Sequence, residues 1–134
     1  MSYKHILVAV DLSDESVRLI RKSTALAKSF NAELSLIHII DNYSEAHIGF
    51  IDLKLTAVEE SKVSIQKLQN IADYPIKYLL VKRGSFRSML FQTIDEFDCD
   101  LLVCGHHHTF IKTFLSSAQK IINHSPVQTL VMQL

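Results

Sequence analysis

Residues 4–30 read KHILVAV, then DLS, then DESVRLIRKSTALAKSF: an apolar strand, a tight turn and a helix with one apolar face. The strand is an unbroken Ile/Leu/Val/Ala run from Ile6 to Val10, as a strand buried on both faces requires. In the helix, Leu19, Ile20, Ser23, Leu26, Ala27 and Phe30 share one side, with Arg18, Arg21, Lys22 and Lys28 away from it. Ser13 is placed to cap that helix, with Asp14 and Glu15 in its first turn, and Asn31 to end it. The same unit recurs outward along the chain. Strands are expected at AELSLIHII (32–40), IKYLLVK (76–82), DLLVCG (100–105) and VQTLVMQL (127–134). Between them lie helical patterns: Val58, Ile65, Leu68 and Ala72 on one stripe, then Phe86, Leu90, Thr93, Ile94 and Phe97, then Ile111, Phe114, Leu115, Ala118, Ile121 and Ile122. Strand–helix alternation of this kind makes an α/β fold, an open parallel sheet with helices on both faces. Ligands of such sheets collect at loops leaving the carboxyl ends of the strands. Right-handed crossovers restrict the topology, but periodicity leaves strand order open.

The chain has 134 residues, which predicts one domain over 1–134, and 48% of them are hydrophobic, enough for a real core. Lys plus Arg equals Asp plus Glu, 14 against 14, so no basic field exists to attract nucleic acid or an anionic membrane. Cys99 and Cys104 are the only cysteines and fall in or beside an apolar strand, which predicts buried free thiols and a reducing, cytosolic setting. The opening MSYKHILVAVDL enters a strand directly, so no signal peptide is expected. No apolar run approaches the roughly 18 residues of a membrane span.

The loops offer few groups suited to catalysis. Asp11 and Ser13 follow strand one; an acidic group there suits a ribose hydroxyl or an adenine edge, and equally suits loop and cap hydrogen bonding. After strand four, Gly105 is followed by His106, His107 and His108. A phosphate cradle needs backbone N–H groups at a helix start and glycines for close approach. The chain has 3 glycines in all, with no P-loop and no G-x-G-x-x-G. Consecutive histidines point in different directions, so no metal site is expected from the triplet. His47-Ile48-Gly49-Phe50, in the aperiodic 41–52 segment, matches the nucleotidyl-transfer signature HIGH only in part and follows the wrong strand. Ser116 and Ser117 lack a base and an orienting group and no nucleophile elbow is present, so a phosphate-accepting role or helix packing remains for them. Lys82 and Arg83 beside Gly84 could attract an anion, but the simpler reading is a solvated loop.

Five segments in order, YKHILVAVDLSDES, LSLIHIIDNYS, GFIDL, DLLVCGHH and FLSSA, resemble the A-type universal stress proteins over essentially the whole chain. The resemblance implies a five-stranded parallel sheet of order 3-2-1-4-5, adenine nucleotide alpha hydrolase-like, and a cytoplasmic homodimer raised under starvation or other stress. It also divides the family into ATP binders, with G-x2-G-x9-G-[S/T] after strand four, and non-binders. On this chain Gly105 matches the first glycine and His108 stands at the second. Ala118-Gln119 occupy the last pair, or Ser116-Ser117 if the loop is two residues shorter. A side chain at 108 fills space that glycine leaves for phosphate. The implied class is therefore the non-ATP-binding one, without cofactor and without catalysis.

The expected function is a non-catalytic dimeric regulator of stress or starvation survival, acting through protein partners that the residues do not identify. Its dimer surface is expected on the final strand, at Val127, Leu130, Val131 and Met132, because an edge strand is a ready partner for its copy. The alternative is a nucleotide-binding switch with slow or no hydrolysis, which would draw on Asp11, Ile39, Gly105, Ser116 and Ser117. A metal-responsive module built on residues 106–108 is a third possibility.

Overall fold

The computed structural model describes residues 2–41, 51–105 and 127–133. The strands are β1 (His5–Ala9), β2 (Glu33–Asp41), β3 (Ile76–Gly84), β4 (Leu101–Gly105) and β5 (Gln128–Met132). The helices are α1 (Ser16–Phe30), α2 (Ile51–Ile71) and α3 (Phe86–Glu96). The final amphipathic pattern, residues 111–122, lies outside the described residues, as does most of the aperiodic 41–52 segment. All five strands are parallel, in the order β3-β2-β1-β4-β5.

Period-two alternation sorts each strand between two cores. On one face Ile6, Val8, Leu34, Leu36, Leu101 and Val103 meet Leu19, Ile20 and Ala27 of α1 and Ile65, Leu68 and Ala72 of α2. On the other, Leu7, Ala9, Ile37, Ile39, Leu102 and Cys104 meet Leu90 and Ile94 of α3. Full burial of each large aliphatic stabilises by about 1.5–3 kcal/mol, so the two layers together hold the sheet. Because α1 and α2 cover one face and α3 the other, the chain reverses direction across the sheet between β1 and β4. That reversal opens the crevice where ligands of such sheets are held.

Helix ends follow local chemistry. Asn31 adopts the left-handed conformation (φ 53°) and closes α1, its N–H reaching the Ala27 and Lys28 carbonyls. The start of α1 departs from the sequence reading. Ser13 does not cap it: Glu15 takes the cap position without a side-chain cap bond, and no acidic residue lies in the first turn. Asp11 holds Ser13 instead. At the β3–α3 junction Gly84 has φ 144°, and a Cβ there would come to 3.1 Å from Met89 Cγ. Glycine at this corner is a steric requirement.

A buried polar chain lies at the amino end of the sheet. His5 is only 4% exposed. Its Nδ1 lies 2.9 Å from the Phe97 carbonyl and its Nε2 2.7 Å from Ser35 Oγ. A carbonyl can only accept, so Nδ1 carries the proton and Nε2 accepts from the Ser35 hydroxyl. Ser35 Oγ in turn accepts the Tyr78 N–H at 3.2 Å. Beside it, the Asp100 carboxylate accepts the Lys4 and His5 backbone N–H groups at 2.8 and 2.9 Å, tying β1 to the start of β4.

Cys99 and Cys104 are free and buried. Burial pushes both thiols up to about 12, helped at Cys99 by the charges of Asp100 and Asp98. Protonated, buried thiols behave as small hydrophobes.

Candidate functional site

The carboxyl end of the sheet gathers three of the residues singled out from the sequence. Ala9 pairs with Ile37 on one side and with Cys104 on the other. Ile39 therefore stands level with Asp11, and Gly105 level with Val10, around the β1–β4 reversal. Ile39 is 9% exposed and Gly105 is buried. The other expected members, Ser116 and Ser117, and the triplet His106, His107 and His108, lie outside the described residues. Among the described residues no group of three or more His, Cys, Asp or Glu is placed to hold a metal ion.

Asp11 organises its own loop. Its Oδ1 accepts the Ser13 N–H at 2.9 Å, the Ser13 hydroxyl at 2.7 Å and the Ser16 hydroxyl at 3.1 Å. The first of these is an Asx turn, in which a short carboxylate mimics a backbone acceptor two residues ahead. This turn holds Leu12 at φ 64°, a left-handed conformation that costs a non-glycine residue about 1–3 kcal/mol. The loop chemistry foreseen for Asp11 is thus present, with Ser13 as its partner instead of as a helix cap.

His38 was not singled out from the sequence. It sits on β2 with Nδ1 2.9 Å from the Val10 carbonyl, so that N–H fastens the end of β1 to β2 just before Asp11. Its signal was a lone imidazole inside the apolar run LSLIHII. Burial lowers its pKa from the ordinary 6.5, against the opposing pull of the Val10 carbonyl and the Asp11 charge. The neutral ring is therefore favoured in the folded state. The unfolded chain takes up the proton first as pH falls through 6.5, so stability present above that value is lost below it. His38→Gln keeps a donor for Val10 and removes the titration. The variant is expected to lose less stability than the parent between neutral and mildly acidic pH, read from urea midpoints. Equal losses in both would assign the acid sensitivity to another group.

The site thus offers one carboxylate already committed to its loop, an aliphatic wall at Ile39 and a backbone approach at Gly105. No helix among those residues is long and apolar enough to cross a membrane.

The sequence pattern of the Universal stress protein family matches residues 2–133. Universal stress protein A of Escherichia coli strain K12 is 41% identical over 139 aligned positions, covering 100% of this chain and 96% of that protein. Hypothetical protein MJ0577, whose structure served a structure-based assignment of biochemical function, shares the fold with a TM-score of 0.80 at 22% identity, over 100% of this chain and 98% of its own. A universal stress protein from Archaeoglobus fulgidus, solved in complex with dAMP, gives a TM-score of 0.65 at 20% identity over 98% of each chain. The strand order, the full-length likeness and the matched family pattern agree, and the chain belongs to the universal stress protein family, whose role lies in the stress response.

Proposed function

We propose that this chain is a non-catalytic, homodimeric regulator of stress survival in the cytoplasm that holds no ATP tightly and acts through protein partners. The observation that carries this reading is the segment after β4. Gly105 stands at the crevice, and the next three residues are histidines, with no further glycine in the chain beyond Gly105. A triphosphate needs close backbone approach at that point, and side chains on every following position oppose it.

Isothermal titration of the intact chain with ATP tests the reading. The expected outcome is no saturable heat at affinities tighter than about 1 mM, near −4 kcal/mol. Saturable binding near micromolar would overturn it.

One observation favours a second reading, a nucleotide-responsive switch. Asp11, Ile39 and Gly105 meet at the strand reversal, and the Archaeoglobus fulgidus protein of the same fold was solved with dAMP. That reading predicts micromolar affinity that is lost on Asp11→Ala.

A further inference from the structure

At the end of the sheet opposite Asp11, a cavity of about 570 Å³ opens under the amino ends of β1, β2 and β3. Its size falls within the range of small-molecule pockets. The Tyr78 and Phe97 rings form its wall, with centroids 4.4 Å apart and planes inclined by 41°. Both residues are held from behind by the His5 chain, since His5 Nδ1–H grips the Phe97 carbonyl and Ser35 Oγ grips the Tyr78 N–H. These bonds fix the backbone beneath both rings, and the rings pack on each other and, for Tyr78, beside the His5 imidazole at 6.0 Å, which lowers the ordering cost of binding.

The charges around the mouth are mostly spent on each other. Glu33 pairs with Lys77 at 2.7 Å, and Glu96 pairs with Lys82 at 3.4 Å. Two charged lining residues remain: among the described residues neither Lys4 nor Asp98 has an ion-pair partner. Asp98 is held at the mouth by a left-handed backbone (φ 53°) just past α3. A ring-shaped hydrophobic wall with one uncommitted charge of each sign matches a flat zwitterion. A ligand with a single charge satisfies only one of the two groups.

We infer that the amino-end cavity is a second ligand site, taking an aromatic zwitterion of the α-amino-acid class. The ring lies against Tyr78 and Phe97, the ammonium faces Asp98 and the carboxylate faces Lys4. This inference is independent of nucleotide binding at the other end of the sheet.

The test titrates the intact, ¹⁵N-labelled chain with phenylalanine, with phenethylamine, which lacks the carboxylate, and with 3-phenylpropionate, which lacks the ammonium. Saturable shifts are expected at the amides of residues 4–5, 77–78 and 97–98, with phenylalanine binding at about millimolar affinity. Each single-charge analogue should bind about two- to fivefold more weakly, the scale of an exposed ion pair. Asp98→Asn, which tolerates the left-handed backbone, should weaken phenylalanine by that factor and leave 3-phenylpropionate unchanged. Absence of saturable shifts at these amides, equal affinity for all three compounds, or an Asp98→Asn variant that binds phenylalanine like the parent would each overturn the assignment.

Discussion

His5→Ala is expected to lower the unfolding free energy by about 2–4 kcal/mol, the cost of a buried void plus polar groups stripped of their partners. The substitution leaves the Phe97 carbonyl without its donor and the Ser35 hydroxyl without its acceptor, at a site where His5 itself is 4% exposed. Ser35→Ala alone removes a smaller group and should cost about 1 kcal/mol. The two changes touch one hydrogen-bond chain, so their sum should exceed the loss in the double variant. Urea unfolding followed by far-UV circular dichroism, at one fixed protein concentration, reads all three variants; a shifted midpoint with an unchanged slope reports stability alone. Additive effects, or a His5→Ala loss well under 1 kcal/mol, would mean that the chain does not hold the sheet's amino end. Asp100→Ala offers a comparison outside the chain, because its carboxylate grips only backbone N–H groups.

His5 also shows where sequence reading stops. The strand KHILVAV was legible from composition, and so were the helix faces: Leu19, Ile20 and Ala27 are buried as the 3.6 period demands, as are Ile65, Leu68 and Ala72. Such patterns are local, and burial obeys them. The partners of His5 lie 30 and 92 residues away along the chain, so nothing near it in sequence announces the bond. His38 is a similar case, a polar residue within an apolar run whose partner Val10 is on another strand. Strand order was open to periodicity and came from family resemblance, which the β3-β2-β1-β4-β5 sheet agrees with. The start of α1 differs from the expected cap for a physical reason: the Ser13 hydroxyl can accept an N–H at a helix start or donate to the Asp11 carboxylate, and the charge-assisted bond to the carboxylate is the stronger. Asp11 and Gly105 were legible as site residues because both stand at strand ends, where topology fixes the crevice.

Leu130→Asp is expected to weaken the proposed homodimer by about one to two decades. The sheet has two edges, β3 and β5. The β3 edge carries Lys77, Lys82 and Arg83, the charged residues that keep an open edge from pairing. β5 reads QTLVM, without a charge, and exposes Leu130 by 38% and Val131 by 41%. The other two residues considered for the interface, Val127 and Met132, pack in part against the cores, so Leu130 and Val131 present the apolar surface. A two-fold axis beside β5 would set each strand against its copy and bury both leucines. Full burial of a leucine is worth about 1.5–3 kcal/mol, so the 38% of Leu130 still exposed is worth about 0.6–1.1, and symmetry doubles it to about 1–2, with roughly 1.4 kcal/mol per decade of affinity. Aspartate loses that burial and sets two like charges near the axis. Sedimentation equilibrium should then show a dimer for the parent and a monomer for Leu130→Asp at the same concentration, while far-UV circular dichroism stays unchanged. Lys82→Leu, on the opposite edge, should leave the parent mass as it is. A Leu130→Asp protein that remains a dimer of parental affinity would move the interface away from β5.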